Sequence, residues 1–371
     1  MIKKITFFIA TYSSTGVPLA QIRLAKALYR KGHKIEFVIG HVPDNLSIPE
    51  IEGIRVINLN IQRTYKLLLP IISYIRKNQP DVIFTAEDHI NAIVTLAAIL
   101  TGSKAKLSAS SRITPYRVYS NKLFTKKWAL KYFSILLRKR IDALVCVSQD
   151  MVKEYETLLG PSNYQCIYNI IQDSDTQRRM SEPVNDLWFN DNSIPVVISA
   201  GTLSGRKGFA DLILAMKIVT KHIPARLVIL GEGHLRADLE TLILDEGLAD
   251  SVRLLGFKNN PLKYFRKSKV FVLSSYAEGL PNVLVEAMAC GCTPVATDCP
   301  TGPSEVLKDG RYGYLIPMHK PKAMAAAIQK ALEHPVPRGL LNEAIEPFTE
   351  ERVLARHAEA LKEDFLQPAV N

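Results

Sequence analysis

Two glutamates, Glu278 and Glu286, stand eight positions apart in the stretch EGLPNVLVEAMACGCTPVATD. The residues from Val272 onward begin as a strand and break at Glu278-Gly279-Leu280-Pro281. They re-form as an apolar helix starting near Asn282 and return to strand at residues 293–297. Proline at the first helical turn spends no N–H group, so the helix start keeps its donors and its positive dipole end for an anion. Glu286 sits between Val285 and Ala287 in an otherwise apolar run, where a carboxylate must find donors; a ribose diol offers two to one carboxylate. A junction with two carboxylates and free backbone N–H groups suits a sugar-nucleotide. The plainer alternative makes Glu278 a surface acid and Glu286 a solvated helix residue.

A second candidate is Arg206-Lys207, two adjacent cations between a strand and a helix, where they would clamp a diphosphate. The loop TYSSTGV at residues 11–17, with the single glycine Gly16, joins the first strand to the first helix. Metal signals are weak. Asp173 and Asp175 form a D-x-D pattern in a polar segment rather than at a strand end. Cys290 and Cys292 have no flanking cysteine or histidine pair at zinc-site spacing. No metal site is expected.

Elements alternate in a way that would position these residues. Strand-like runs at residues 4–10, 34–40, 54–59, 81–85, 105–109 and 143–147 are interleaved with helical runs at 17–31 and from Tyr65, Ile90, Asn121 and Gln149. Alternation restarts with strands at 195–200, 226–230, 251–255 and 269–273 and helices at 208–221 and 235–246. Such βαβα order with Val- and Ile-rich strands predicts doubly wound parallel sheets. The 371 residues suffice for about two domains. The expected division is a first Rossmann-like domain over 1–171, a polar linker over 172–193 and a second Rossmann-like domain over 194–345. A terminal helix over 346–371 is free to cross back to the first. The two domains are expected to face each other across a cleft.

Composition is that of a globular protein, 47% hydrophobic and 22% charged. The five cysteines, an odd number, fit reduced thiols in a cytoplasm. The N-terminal apolar run, Ile5 to Ala10, reads as a buried strand rather than a signal peptide, and no stretch reaches the length of a membrane span. Net charge is +11, and residues 89–141 contain no Asp or Glu but eleven Lys and Arg. Within this window Phe124, Trp128, Leu130 and Phe133 interleave with Lys126, Lys127 and Lys131, the pattern of an interfacial amphipathic helix on anionic lipid. The alternative is a helix packed on its sheet with a solvated basic face. No nucleic-acid motif accompanies the charge.

The stretch from Glu278 onward resembles the retaining family 4 glycosyltransferases (glycosyl transferases group 1), whose hallmark is Glu-x7-Glu within E-G-x-P-x-x-x-x-E-A-M-A-x-G-x-P-V. Pro294 stands one place later than in that pattern. Residues 201–208 (GTLSGRKG), 225–233 (ARLVILGEG), 255–260 (LGFKNN) and 298–313 (DCPTGPSEVLKDGRYG) fall in family order. The first half matches more loosely. The resemblance implies a GT-B fold and a nucleotide-sugar donor, expected to be UDP-linked, with no separate cofactor. It also implies that Glu286 binds the ribose, that Glu278 with Gly279, Leu280, Pro281 and Asn282 holds the donor sugar, and that Gly256 and Phe257 lie beside the base. Gly16 would lie in the loop that approaches the diphosphate and acceptor.

Departures are visible. Thr202 stands where relatives often have arginine, leaving Arg206 and Lys207 to supply the charge. Residues 108–115 (SASSRITP) lack the histidine many relatives carry there; Arg112 is the nearest match for steadying developing phosphate charge, and the alternative is that it merely belongs to the basic face. The resulting expectation is a metal-independent hexosyl- or N-acetylhexosaminyltransferase of polysaccharide or cell-envelope biosynthesis. It would act from the inner face of a bacterial membrane on a lipid-linked or cell-surface glycan. A nucleotide-sugar epimerase of the same fold and a non-catalytic partner subunit are the alternatives. The sequence carries no signal for an oligomeric state.

Overall fold

A computed structural model describes residues 1–13, 16–191 and 193–365. The chain forms two compact units, 1–170 with 349–371, and 171–348.

The first unit is built on a seven-stranded sheet. Its strands are β1 (Lys4–Thr11), β2 (Lys34–His41), β3 (Arg55–Asn58), β4 (Val82–Ala86), β5 (Lys106–Ser111), β6 (Ala143–Cys146) and β7 (Tyr164–Cys166). They run parallel in the order β3-β2-β1-β4-β5-β6-β7. Strand β1 shows why the runs are almost wholly apolar. Ile5, Phe7 and Ile9 enter the core on one face, while Phe8 and Ala10 enter the core on the other. On the first face Phe7 stacks between Phe37 at 5.7 Å and Phe84 at 4.9 Å. The helix Glu350–Leu361 completes that face with Val353, Leu354 and Leu361. Lys3–Glu363 at 2.8 Å and Arg30–Glu350 are ion pairs that fasten it.

The second unit is built on a six-stranded sheet. Its strands are β8 (Val196–Ala200), β9 (Arg226–Leu230), β10 (Val252–Leu254), β11 (Val270–Leu273), β12 (Thr293–Thr297) and β13 (Tyr314–Ile316). They are parallel in the order β10-β9-β8-β11-β12-β13. Ile171 N–H donates to Phe348 C=O at 2.9 Å, so the chain enters and leaves this unit side by side.

The segment 172–193, expected as a linker, is instead part of the second unit. It contains the helices Thr176–Met180 and Leu187–Asn190, the second capped by the Asp186 side chain. Trp188 and Phe189 are buried, Phe189 packs edge-on to Tyr264 at 5.3 Å, and Arg253 lies over the Trp188 ring at 4.0 Å. Two aromatics within an otherwise polar stretch outweigh its turn-rich composition. Asp173 also has a structural duty. Its carboxylate accepts from Thr176 Oγ1 at 2.8 Å and from Asp175 N–H at 3.1 Å, shaping the entry to the first of these helices.

The basic window is another correction. Its helix runs Lys126–Leu137 rather than from Asn121. Phe124 has φ 60, outside the helical range, and the Thr125 side chain caps the helix by accepting from Trp128 N–H. Nor are all eleven cations a solvated face. Lys106 and Arg140 pair with Asp142 at 3.0 and 3.3 Å, Arg138 donates to Leu159 C=O at 2.8 Å, and Arg112 donates to Asn169.

Candidate donor site at the switch point of the second sheet

In the second sheet, strand order reverses between β8 and β11. Successive crossovers diverge there, so the carboxyl ends of the two strands bound a crevice, the usual ligand position in open parallel sheets. The residues after β8 and after β11 are those singled out by the sequence: Arg206 and Lys207 in the first loop, Glu278 to Pro281 in the second.

The two loops are joined by hydrogen bonds and charge. Lys207 Nζ lies 2.6 Å from Glu278 Oε1, with the two side chains only 12% and 8% exposed. Arg206 is 42% exposed; its guanidinium lies 3.8 Å from Glu278 Oε2 and donates to Ala277 C=O at 3.0 Å. Tyr276 N–H donates to Arg206 C=O at 2.8 Å, and Ser274 Oγ donates to Lys207 C=O at 2.7 Å. Gly208 is required by this approach: with φ +62, an added Cβ would meet Ser274 O at 2.1 Å. Desolvating a Lys–Glu pair is costly, and losing one partner leaves the other uncompensated. The pair therefore holds both loops in one geometry while keeping Arg206 exposed.

Glu278 leads directly to the helix Asn282–Cys290, with Pro281 as N-cap and no side-chain cap hydrogen bond. Asn282 and Glu286 are one turn apart and both half-exposed, on a helix whose Leu284, Val285 and Ala287 to Cys290 are buried. Glu286 also lies near the Cys290 thiol, which burial first and this carboxylate second push up to about 12. A third loop closes on the junction, and the sequence reading gave it no role. Thr301 Oγ1 donates to Glu278 C=O, and Gly302, at φ +97, sits where a Cβ would meet Pro281 Cδ at 2.6 Å. The signal for it was the Thr-Gly-Pro turn of residues 301–303.

Gly256, with φ +73, follows β10; its carbonyl accepts from Gly231 N–H at 2.9 Å, and Phe257 is 47% exposed beside it. In the first unit, Gly16 is the N-cap of the helix Val17–Arg30 at φ 65 and ψ −128. A Cβ there would meet open space, so conformation rather than close approach selects glycine. Ser14 and Thr15 of the same loop lie outside the described residues.

Arg112 does not belong to the basic face, one of the two readings open to it. Its guanidinium donates to Asn169, its Nε is buried, and burial lowers its pKa to about 10. His357 of the terminal helix is also buried, and burial with the Arg112 charge lowers it to about 3. Among the described residues no group of three or more His, Cys, Asp or Glu is arranged to hold a metal ion. All five cysteines are buried thiols outside any disulfide.

Two parallel sheets of this order define the GT-B class. The fold is shared with Anabaena HepE, solved in complex with UDP and glucose, at a TM-score of 0.77, 18% identity, and coverage of 97% of this chain and 99% of that one. The sequence matches Glycosyl transferases group 1 over residues 187–347 and Glycosyltransferase Family 4 over residues 16–175. The chain belongs to this glycosyltransferase family. An uncharacterized glycosyltransferase of Methanocaldococcus jannaschii is 33% identical over 261 residues, 67% of this chain and 62% of that protein. A Campylobacter jejuni N-acetylgalactosamine-N,N'-diacetylbacillosaminyl-diphospho-undecaprenol 4-alpha-N-acetylgalactosaminyltransferase is 32% identical over 244 residues, 65% and 64% of the two chains. The chain thus spans just under two thirds of the length of these two relatives.

Proposed function

We propose that this protein is a retaining glycosyltransferase that takes a sugar from a UDP-sugar and places it on a lipid-linked glycan. The observation that carries the reading is the Lys207–Glu278 pair, with Arg206 beside it, at the switch point next to the start of the Asn282–Cys290 helix. Arg206, Lys207 and the helix N-terminus stabilise the diphosphate as its negative charge develops. Glu278 and the backbone of Gly279 to Asn282 hold the donor sugar, Glu286 takes the ribose hydroxyls, and Gly256 and Phe257 flank the base. The bond from the anomeric carbon to the diphosphate oxygen breaks. An acceptor oxygen bonds to the same face, and its proton passes to the leaving diphosphate. UDP is favoured by the likeness to HepE, and a lipid-linked acceptor by the name of the Campylobacter relative.

The chain reaches that acceptor by docking on an anionic bilayer. Of the helix Lys126–Leu137 only Leu137 is buried. Phe124, Trp128, Tyr132 and Leu136 recur every fourth residue; Phe124 is 91%, Tyr132 53% and Leu136 73% exposed. Lys122, Lys126, Lys127 and Lys139 are exposed around them. Apolar anchors within a ring of cations fit lipid headgroups and acyl chains together. No helix among the described residues is long and apolar enough to cross a membrane.

The test is thermal unfolding with UDP-, GDP- and ADP-sugars, followed by transfer assays. UDP-sugars should raise Tm, since a ligand at 100 times its Kd contributes about 2.7 kcal/mol. Glu286→Ala should reduce that shift without unfolding the protein, and equal UDP affinity in the variant would remove Glu286 from the site. Transfer should survive excess EDTA, the charge being supplied by Arg206 and Lys207. Loss with EDTA and recovery with manganese would refute the metal-independent reading.

A further inference from the structure

We propose that Glu87 binds hydroxyl groups of the acceptor at the switch point of the first sheet. This rests on the glycosyltransferase reading and deepens it by assigning an acceptor-binding residue. In the order β3-β2-β1-β4-β5-β6-β7 the crossovers diverge between β1 and β4, so the carboxyl ends of those strands bound the crevice of this unit. Glu87 is the first residue after β4, and its N–H donates to Ser110 C=O of β5 at 2.9 Å.

Three observations separate Glu87 from a structural acid. Its backbone has φ 83 and ψ 132, a region a residue with a Cβ rarely adopts, and such strain concentrates at functional sites. The adjoining Asp88 has the structural role. It is buried and accepts from Tyr119 at 2.7 Å, Tyr155 at 2.9 Å and Ser111 at 3.0 Å. Glu87 remains 40% exposed, with His89 Nε2 at 3.8 Å.

A carboxylate can accept from two neighbouring hydroxyls at once, the arrangement a sugar diol offers. Glu87 makes no covalent bond and takes no proton from the attacking hydroxyl, which still goes to the leaving diphosphate. Its contribution is to orient the acceptor sugar.

The experiment compares wild type, Glu87→Gln and Glu87→Gly in transfer from UDP-glucose and UDP-N-acetylgalactosamine to p-nitrophenyl glycosides. Loss of a hydrogen bond to a charged group should raise the acceptor KM about 10- to 100-fold. UDP release without acceptor and the UDP-induced Tm shift should stay unchanged. Glu87→Gly should unfold at the same or a higher temperature, because glycine relieves the positive φ. Unchanged acceptor KM in both variants would overturn the assignment, as would a Glu87→Gly variant that melts several degrees lower. If wild type released no UDP from any donor, the glycosyltransferase reading would fail and this assignment with it. That result is distinct from an active wild type indifferent to Glu87.

Discussion

Among single residues, what matters most here is which charges meet, and a one-dimensional chain does not reveal that. Lys207 and Glu278 were both visible as candidates, but their 2.6 Å contact spans 71 positions. Arg112 looked equally suited to a basic surface and to a phosphate; only the fold places Asn169 against it and buries its Nε. His357 carried no signal at all, since a lone histidine in a terminal helix reads as ordinary core or surface. Its burial has a measurable consequence. Burial, and secondarily the Arg112 charge, hold its folded pKa at about 3, below the unfolded value of about 6.5. The unfolded chain then binds a proton below pH 6.5 that the folded chain refuses. The contribution to stability is complete above pH 6.5 and is lost as pH falls toward 3. From pH 7 to pH 5 the loss from this group is about 2 kcal/mol. His33, also lowered mainly by burial, adds in the same direction, whereas Asp88, raised by burial, acts oppositely. The expected outcome is a smaller drop in Tm between pH 7 and pH 5 for His357→Gln than for wild type. Equal drops would mean that His357 is not buried neutral.

Among secondary elements, legibility followed apolar density. Strands β9 and β12 match the sequence reading at both ends because a polar residue, Arg226 or Thr293, opens each and Gly231 or Asp298 follows it. The short outer strands β7 and β13, three residues each, were missed because so few residues set no periodicity. Composition misled most in residues 172–193, where polar and turn-forming residues outnumber the aromatics that anchor the segment. A linker tolerates loss of a tryptophan; a core segment does not. Trp188 is 6% exposed, under Arg253 at 4.0 Å and Arg226 at 5.4 Å. Trp188→Ala should destabilise the protein by about 3–5 kcal/mol in denaturant unfolding. A loss under about 0.5 kcal/mol, the usual scale for surface substitutions, would restore the linker.

In the whole molecule, the proposed donor site and the proposed membrane face fall in different units, and this yields a test that neither unit gives alone. The proposed donor residues Arg206, Lys207, Glu278 and Glu286 lie in the unit 171–348, whereas the helix Lys126–Leu137 lies in the unit 1–170 with 349–371. Each basic residue close to an anionic surface contributes about 1 kcal/mol, so four or five engaged lysines support peripheral binding, with the exposed aromatics adding apolar anchoring. Wild type should therefore bind vesicles containing anionic lipid in a salt-sensitive way and bind neutral ones little. Lys126→Glu, Lys127→Glu and Lys131→Glu combined should abolish that binding and leave the UDP-induced Tm shift intact. Phe124→Ser with Leu136→Ser should weaken binding even at low salt, because the charges remain while the anchors are lost. Glu286→Ala should show the reverse pattern, with vesicle binding retained and UDP affinity lost. If the lysine variant loses UDP binding as well, the two activities are coupled through the fold and the division fails. If wild type ignores anionic vesicles at low salt, the exposed aromatic stripe needs a partner other than lipid, and the acceptor loses its membrane argument.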